Sequence, residues 1–225
     1  FEEFLFANGM NETVISAMRQ KFDKLESLEE SMHDKMMDLF RKYLLVGGMP
    51  DAVNAYVQDK NIRSVREIQS EIHEYYAADA SKYEADRRLT IRRIYDMIPL
   101  IWKTRKNVLW YKILKINEEN NSVTIKEEFE YLINAGVVSS VQAISNPVFP
   151  LIESAGKNLL KLYLNDVGIL TGILYGNNIR AILDDQPSVN LGSVYETVVA
   201  NELKAHGYKL FYYDNRSKGE VDYLI

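Results

Sequence analysis

The chain has 225 residues, 47% of them hydrophobic and 26% charged, with a formal net charge of −5. These are the proportions of a folded globular protein and exclude a disordered or low-complexity chain. No window approaches the roughly 18 uninterrupted apolar residues of a membrane span, no secretory leader opens the chain, and the absence of cysteine removes disulfides, thiolate zinc sites and Cys nucleophiles, so the expected setting is a reducing cytoplasm with no membrane partner.

Residues 1–80 read as helical. Between Gly9 and Ser31, Val14, Ile15, Met18, Phe22 and Leu25 recur at helical spacing. Ser31 is the expected cap of a second helix bearing Met32, Met36, Leu39, Phe40, Tyr43 and Leu44, which Gly47-Gly48 stops before Pro50. A short helix with Val53, Tyr56 and Val57 follows, then a longer one with Ile62, Val65, Ile68, Ile72, Tyr75 and Tyr76. Methionine and aromatic stripes at this spacing are read as core.

Residues 81–150 read as three helices and a wing. Leu89, Ile91, Ile94, Tyr95 and Ile98 mark the first helix, weakened near Pro99, and 108–116 the second. Thr124 with Glu127 three residues on is a capping box for the third, whose stripe is Phe129, Leu132 and Ile133 and which Gly136 ends. A strand over 137–141 and an Asn146-Pro147 turn complete the pattern of a winged helix-turn-helix.

Residues 151–225 shift to α/β. A strand is expected over 159–164, a short helix from Asn165-Asp166, and a linker from Gly176 to Gly192. A helix over 193–206, a strand over 209–213, a turn over 215–219 and a strand over 220–225 follow. The expected class is mainly α with an α/β C-terminal part.

Charge is unevenly spread: residues 1–81 carry a net −6, residues 82–115 a net +7 and residues 116–225 a net −6. Lys82, Arg87, Arg88, Arg92, Arg93, Lys103, Arg105 and Lys106 in the basic window could neutralise a nucleic-acid backbone, or form a solvated face paired with the acidic flanks. The third helix of the winged unit carries Lys126, Glu127, Glu128 and Glu130. Three exposed carboxylates there oppose base readout, which leaves backbone contact through Arg87 to Lys106, or packing against a protein.

No phosphate-binding loop is present, since Gly156-Lys157 has Leu151 where the earlier glycine belongs and Asn158 where a hydroxyl belongs. His33, His73 and His206 have no ligand spacing. Glu196 on a helix and Glu220-Val221-Asp222 on a strand are the remaining candidate chemistry. Glu220, Asp222 and Leu224 alternate onto one strand face, and such an acidic pair can hold Mg²⁺ with hard oxygens or be the solvent side of a hairpin.

Six short motifs in order give the chain a resemblance to the C-terminal region of a bacterial and archaeal family of AAA+-type (DEXX-box) ATPases ending in a domain of unknown function. Phe1-Glu2-Glu3-Phe4-Leu5 is similar to that family's F-x-E-F-L. Residues 43–51 (Tyr43, Leu44, Gly47, Gly48, Pro50, Asp51) are similar to its Y-L-x-x-G-G-x-P-[ED]. Tyr76 with Asp79 resembles its Y-x-x-D, and Lys161, Tyr163, Asp166 and Gly168 its K-x-Y-x-x-D-x-G. Gly192, Tyr195 and Glu196 resemble its G-x-x-[YF]-E, and Glu220, Val221, Asp222 and Tyr223 its E-[IV]-D-[FY].

The resemblance implies a lid-like helical segment after an ATPase core (1–80), a winged helix (81–150) and the start of a PD-(D/E)xK nuclease-like unit (151–225). Glu196 and Asp222 would be its remaining catalytic carboxylates and Asp222 its metal ligand, while the strand bearing the (D/E)-x-K would follow later. Walker motifs, ATP and its Mg²⁺ would belong to an upstream ATPase domain, with no cofactor bound here. The start at Phe1 and the end within a strand fit that expectation of a fragment. The function expected is a regulatory, nucleic-acid-associated part of an ATP-binding protein, with Arg87, Arg88, Arg92, Arg93 and Lys106 on DNA phosphates. The alternative is a protein-interaction module acting through the winged helix.

Overall fold

In the computed structural model, the helical spacing of the first third of the chain is met by helices α1 (Glu2–Ala7), α2 (Glu12–Asp23), α3 (Glu30–Val46), α4 (Pro50–Asp59) and α5 (Ile62–Asp79). Helices α6 (Ala85–Trp102) and α7 (Ser122–Asn134) lead into strand β1 (Val138–Ile144). A 3₁₀ turn (Leu151–Ser154), β2 (Leu160–Leu164), α8 (Val167–Tyr175), α9 (Arg180–Leu183), α10 (Gly192–Ala205), β3 (Phe211–Asn215) and β4 (Gly219–Leu224) complete it. The structure describes residues 1–79, 85–102, 122–155, 160–184, 186, 189–215 and 217–225, and for 85–88, 100–102 and 122–126 the backbone alone. The expected helix over 108–116, and Lys82, Lys103, Arg105 and Lys106, lie outside the described residues, as does the side chain of Thr124.

The chain divides into two compact units, each assembled from separated segments. The first comprises residues 1–72 and 166–191. Its core is the C-terminal end of α3, where Tyr43, Leu44, Leu45 and Val46 are all buried. Phe4 packs against the rings of Tyr43 and Tyr56 at centroid distances of 5.5 and 6.2 Å, tying α1 to α3 and α4. Leu5, Met10 and Ile15 form a second cluster with Met18, Met36 and Leu39, so the methionines serve as core filling.

Helix α3 begins one residue before the expected cap. Glu29 is its extended N-cap and Glu30 opens its first turn, because carboxylates there meet the positive end of the helix dipole and Ser31 is already helical. The α3 helix stops at Gly47, whose φ of +75° suits glycine, and Pro50 occupies the first turn of α4. At the far end of the α2 stripe, Phe22 and Leu25 are exposed rather than buried, and Phe22 borders an open cavity of about 420 Å³ lined also by Ile15, Met18 and Leu28.

The second unit comprises residues 73–165 and 192–225. Ile91, Ile94, Tyr95 and Ile98 of α6 and Phe129 and Leu132 of α7 are buried. Leu89, counted with that stripe from the sequence, is exposed. Pro99 lies inside α6, which continues to Trp102 without the backbone bond that proline cannot donate.

The sheet order is β2-β1-β3-β4, with β1 antiparallel to β2 and parallel to β3, and β3-β4 an antiparallel hairpin. The strand expected to be a wing is thus an inner strand of the C-terminal sheet. Burial on both faces explains the choice. Val141 and Ala143 join Tyr163, Leu210, Tyr212 and Ala200 of α10 in one cluster, while Ile144 joins Phe211 and Tyr213 in another, so both faces are covered. Among the described residues, no helix is long and apolar enough to cross a membrane.

Candidate functional site

Strand β2 reads Leu160-Lys161-Leu162-Tyr163-Leu164, and alternation puts Lys161 and Tyr163 on one face. Lys161 pairs across β1 with Val141, so its side chain enters the cluster covered by α10. Its side chain is only 7% exposed. The ammonium donates to Glu220 Oε1 at 3.0 Å and Asp222 Oδ1 at 2.8 Å and lies 4.9 Å from the Tyr212 ring centroid. Glu220 and Asp222, two residues apart on β4, remain half-exposed.

Glu196 arrives from α10. The Tyr163 hydroxyl donates to its Oε2 at 3.2 Å, and the Tyr223 hydroxyl donates to its backbone carbonyl at 2.7 Å. Burial first, and then the charge of Asp222, raise the Glu196 pKa. Burial pulls the Lys161 pKa down, but hydrogen bonds to Asp222 and Glu220 outweigh it and the net shift is upward. Burial also raises the Tyr163 and Tyr223 hydroxyls. The cluster therefore offers an ammonium that holds its proton, two half-exposed carboxyl groups, and a third carboxyl that keeps its proton to higher pH than usual.

The structure thus brings together Glu196 and Asp222, the two carboxylates singled out from the sequence, and adds Lys161, which was noted only as a motif letter. A usable signal was present: a lysine in the middle of a strand otherwise made of Leu and Tyr must be buried, and a buried ammonium needs anionic partners. Among the described residues, no three Asp, Glu or His side chains converge as a metal-ligand set.

One arginine of the basic window is already paired. Arg92 and Arg93 are exposed on α6, but Arg92 pairs with Glu74 at 3.2 Å and with Asp96 at 3.8 Å. The side chains of Arg87 and Arg88, and all of Lys106, lie outside the described residues. On α7, Glu127 and Glu130 are exposed, whereas Glu128 is buried at 3%. It shares a face with buried Leu132 one turn on, so two carboxylates rather than three face outward.

A second polar assembly lies wholly in the first unit. Asp166 caps α8, accepting from Ile169 N at 2.9 Å and from Gly48 N at 2.7 Å. Burial raises its pKa, opposed by those backbone N–H bonds. Arg66 Nη1 donates to the carbonyls of Leu45 and Gly168 and to Gln69 Oε1 and Thr171 Oγ1. Burial lowers its pKa to about 10, against the pull of Asp166. Gln69 Nε2 donates to the carbonyls of Leu45 and Val46, and the Thr171 hydroxyl to that of Leu44. These side chains satisfy the last carbonyls of α3, which no helical partner can reach. Arg66, Gln69 and Thr171 were not singled out from the sequence, because nothing in local spacing tells a surface arginine from one folded onto a helix end.

Residues 37–178 match the model of a family described as a domain of unknown function, DUF8612. The chain belongs to that family. No curated protein and no solved structure matches the chain. The DUF8612 span takes in the whole Arg66–Asp166 assembly and Lys161, and it ends before Glu196, Glu220 and Asp222. The motif from Lys161 to Gly168 is divided between the two units: Lys161 and Tyr163 belong to the second, Asp166 and Gly168 to the first.

Proposed function

We propose that this DUF8612 chain is the regulatory, nucleic-acid-associated C-terminal part of an AAA+-type ATPase whose P-loop domain lies upstream. The observation that carries this reading is the meeting of a helix carboxylate, Glu196, with a strand carboxylate, Asp222, and a lysine, Lys161, on a mixed sheet. Glu196 and Asp222 are the two carboxylates that the nuclease-like resemblance implies, and Lys161, from a separate motif of that resemblance, is an addition to them. The helix order α6, α7 and then β1 supports a winged-helix ancestry for the middle of the chain. ATP and its Mg²⁺ would be held by the upstream domain.

Within this chain, the Asp222 region does not fit a divalent ion as it stands. Its two exposed carboxylates already share the Lys161 ammonium. The role of unit 2 is therefore binding rather than cleavage, with Arg93 and the neighbouring basic residues of the +7 window touching phosphate.

Fluorescence anisotropy with duplex DNA tests this. Binding is expected at ~50 mM salt, with log affinity falling linearly in log salt. Charge reversal at Arg92 and Arg93 is expected to abolish it. The pairing of Arg92 with Glu74 and Asp96 favours a second reading, a protein-interaction module with no nucleic-acid partner. Absence of salt-dependent binding selects that one.

A further inference from the structure

We propose that Lys161 is the resident cation of the β4 acid pair, so that the cluster of Lys161, Glu220 and Asp222 is complete without a divalent metal ion. The inference concerns the chain's own charge balance and stands whether or not the chain meets DNA.

The ammonium is within 3.0 Å of Glu220 Oε1 and within 2.8 Å of Asp222 Oδ1. A magnesium ion bridging the same carboxylates would need oxygen ligands at about 2.0–2.1 Å in near-octahedral array. On the same two oxygens it would have to occupy the place the ammonium fills. Lys161 has little room to withdraw, since its side chain is 7% exposed and its head lies over the Tyr212 ring. Retained there, it would repel a second cation at short range. Moved away from its acids, it would be a charge without a partner in an apolar cluster.

With the ammonium in place, the other groups facing the cluster do not open a second place for a metal. Glu196 has one carboxyl oxygen held by the Tyr163 hydroxyl. The Tyr163 and Tyr223 hydroxyls are spent as donors to Glu196. The cluster is thus a joint: an ammonium from β2 fastened to two acids of β4.

Calorimetric titration of the full chain with MgCl₂ and MnCl₂ tests the proposal. The unmodified chain is expected to give no saturable binding up to about 10 mM metal. Lys161→Met, shown to be folded by circular dichroism, removes the resident cation. It is expected to bind Mn²⁺ saturably below about 1 mM, roughly tenfold inside the limit at which the unmodified chain still shows none. Saturable binding by the unmodified chain below about 10 mM metal that Asp222→Asn abolishes overturns the proposal, and so does a folded Lys161→Met with no gain. Should Lys161→Met not fold, the unmodified chain decides alone: no saturable heat supports the proposal, and Asp222-dependent saturation overturns it.

Discussion

Lys161 and Asp222 stand 61 residues apart in the chain and 2.8 Å apart in space. The two ends of this bond are not equivalent. The lysine side chain is 7% exposed and the aspartate 46% exposed, so loss of the acids strands a nearly buried ammonium, whereas loss of the lysine leaves two carboxylates that water can still reach. Glu220→Gln with Asp222→Asn is expected to destabilise the chain by about 2–3 kcal/mol, below the ~3–5 of a fully buried pair because the acids are screened. Lys161→Met is expected to cost less than that double substitution. Urea denaturation of the variants checks it, and a costlier Lys161→Met would refute the asymmetry.

The close approach of α8 to the end of α3 leaves no room for a methyl group. A Cβ on Gly168 would lie 2.6 Å from the Val46 carbonyl oxygen and 2.7 Å from Gly47 N, both backbone atoms that cannot step aside. A Cβ on Gly47 would enter the Asp166 carboxylate, at a φ of +75°. Alanine at either position is expected to cost about 2–4 kcal/mol. Gly9, with a φ of +81° and open space around it, is the control. Alanine there pays backbone strain alone, about 1–2 kcal/mol. Thermal denaturation separates these cases, and equal losses at all three sites would contradict the close approach.

His73 makes stability depend on pH in a definite direction. Its ring stacks on Tyr95 at 4.9 Å, its Nδ1 lies 3.2 Å from the Tyr95 hydroxyl and its Nε2 3.6 Å from Asp96. Burial lowers its pKa, while Asp96 and Glu74 oppose that shift and Arg92 adds to it. The unfolded chain therefore binds this proton more readily than the folded one. Its stabilising contribution is full above the ordinary histidine range and is lost as pH falls through that range. Urea denaturation at pH values from about 5 to 8 is expected to show a steeper decline on acidification for the unmodified chain than for His73→Gln. Parallel profiles would remove His73 as the cause. Glu196 and Asp166, whose pKa values are raised, act in the opposite sense and favour the folded state at low pH.

Much of this protein could be read from one-dimensional pattern. The apolar period of 3.6 located α2 to α6, Gly47 and Gly136 stopped helices at positive φ, and Asp166 capped α8 as its place before an apolar run suggested. Glu196 and Asp222 were recognisable as chemistry because acids at those spacings recur in short motifs. All of these are local facts, settled by residues within one or two turns of each other.

Tertiary structure decided what those facts were for. Residues 137–141 have the same β-branched, strand-forming composition whether they form a wing or an inner strand, and only pairing with β2 and β3 chose the sheet. Arg66 has the same neighbours in sequence whether it meets water or the carbonyls of α3. Lys161 is one cation among 27 basic residues until β4 brings Glu220 and Asp222 against it. A charge acts through distance in space rather than along the chain, so the sequence named the groups and the fold chose their partners.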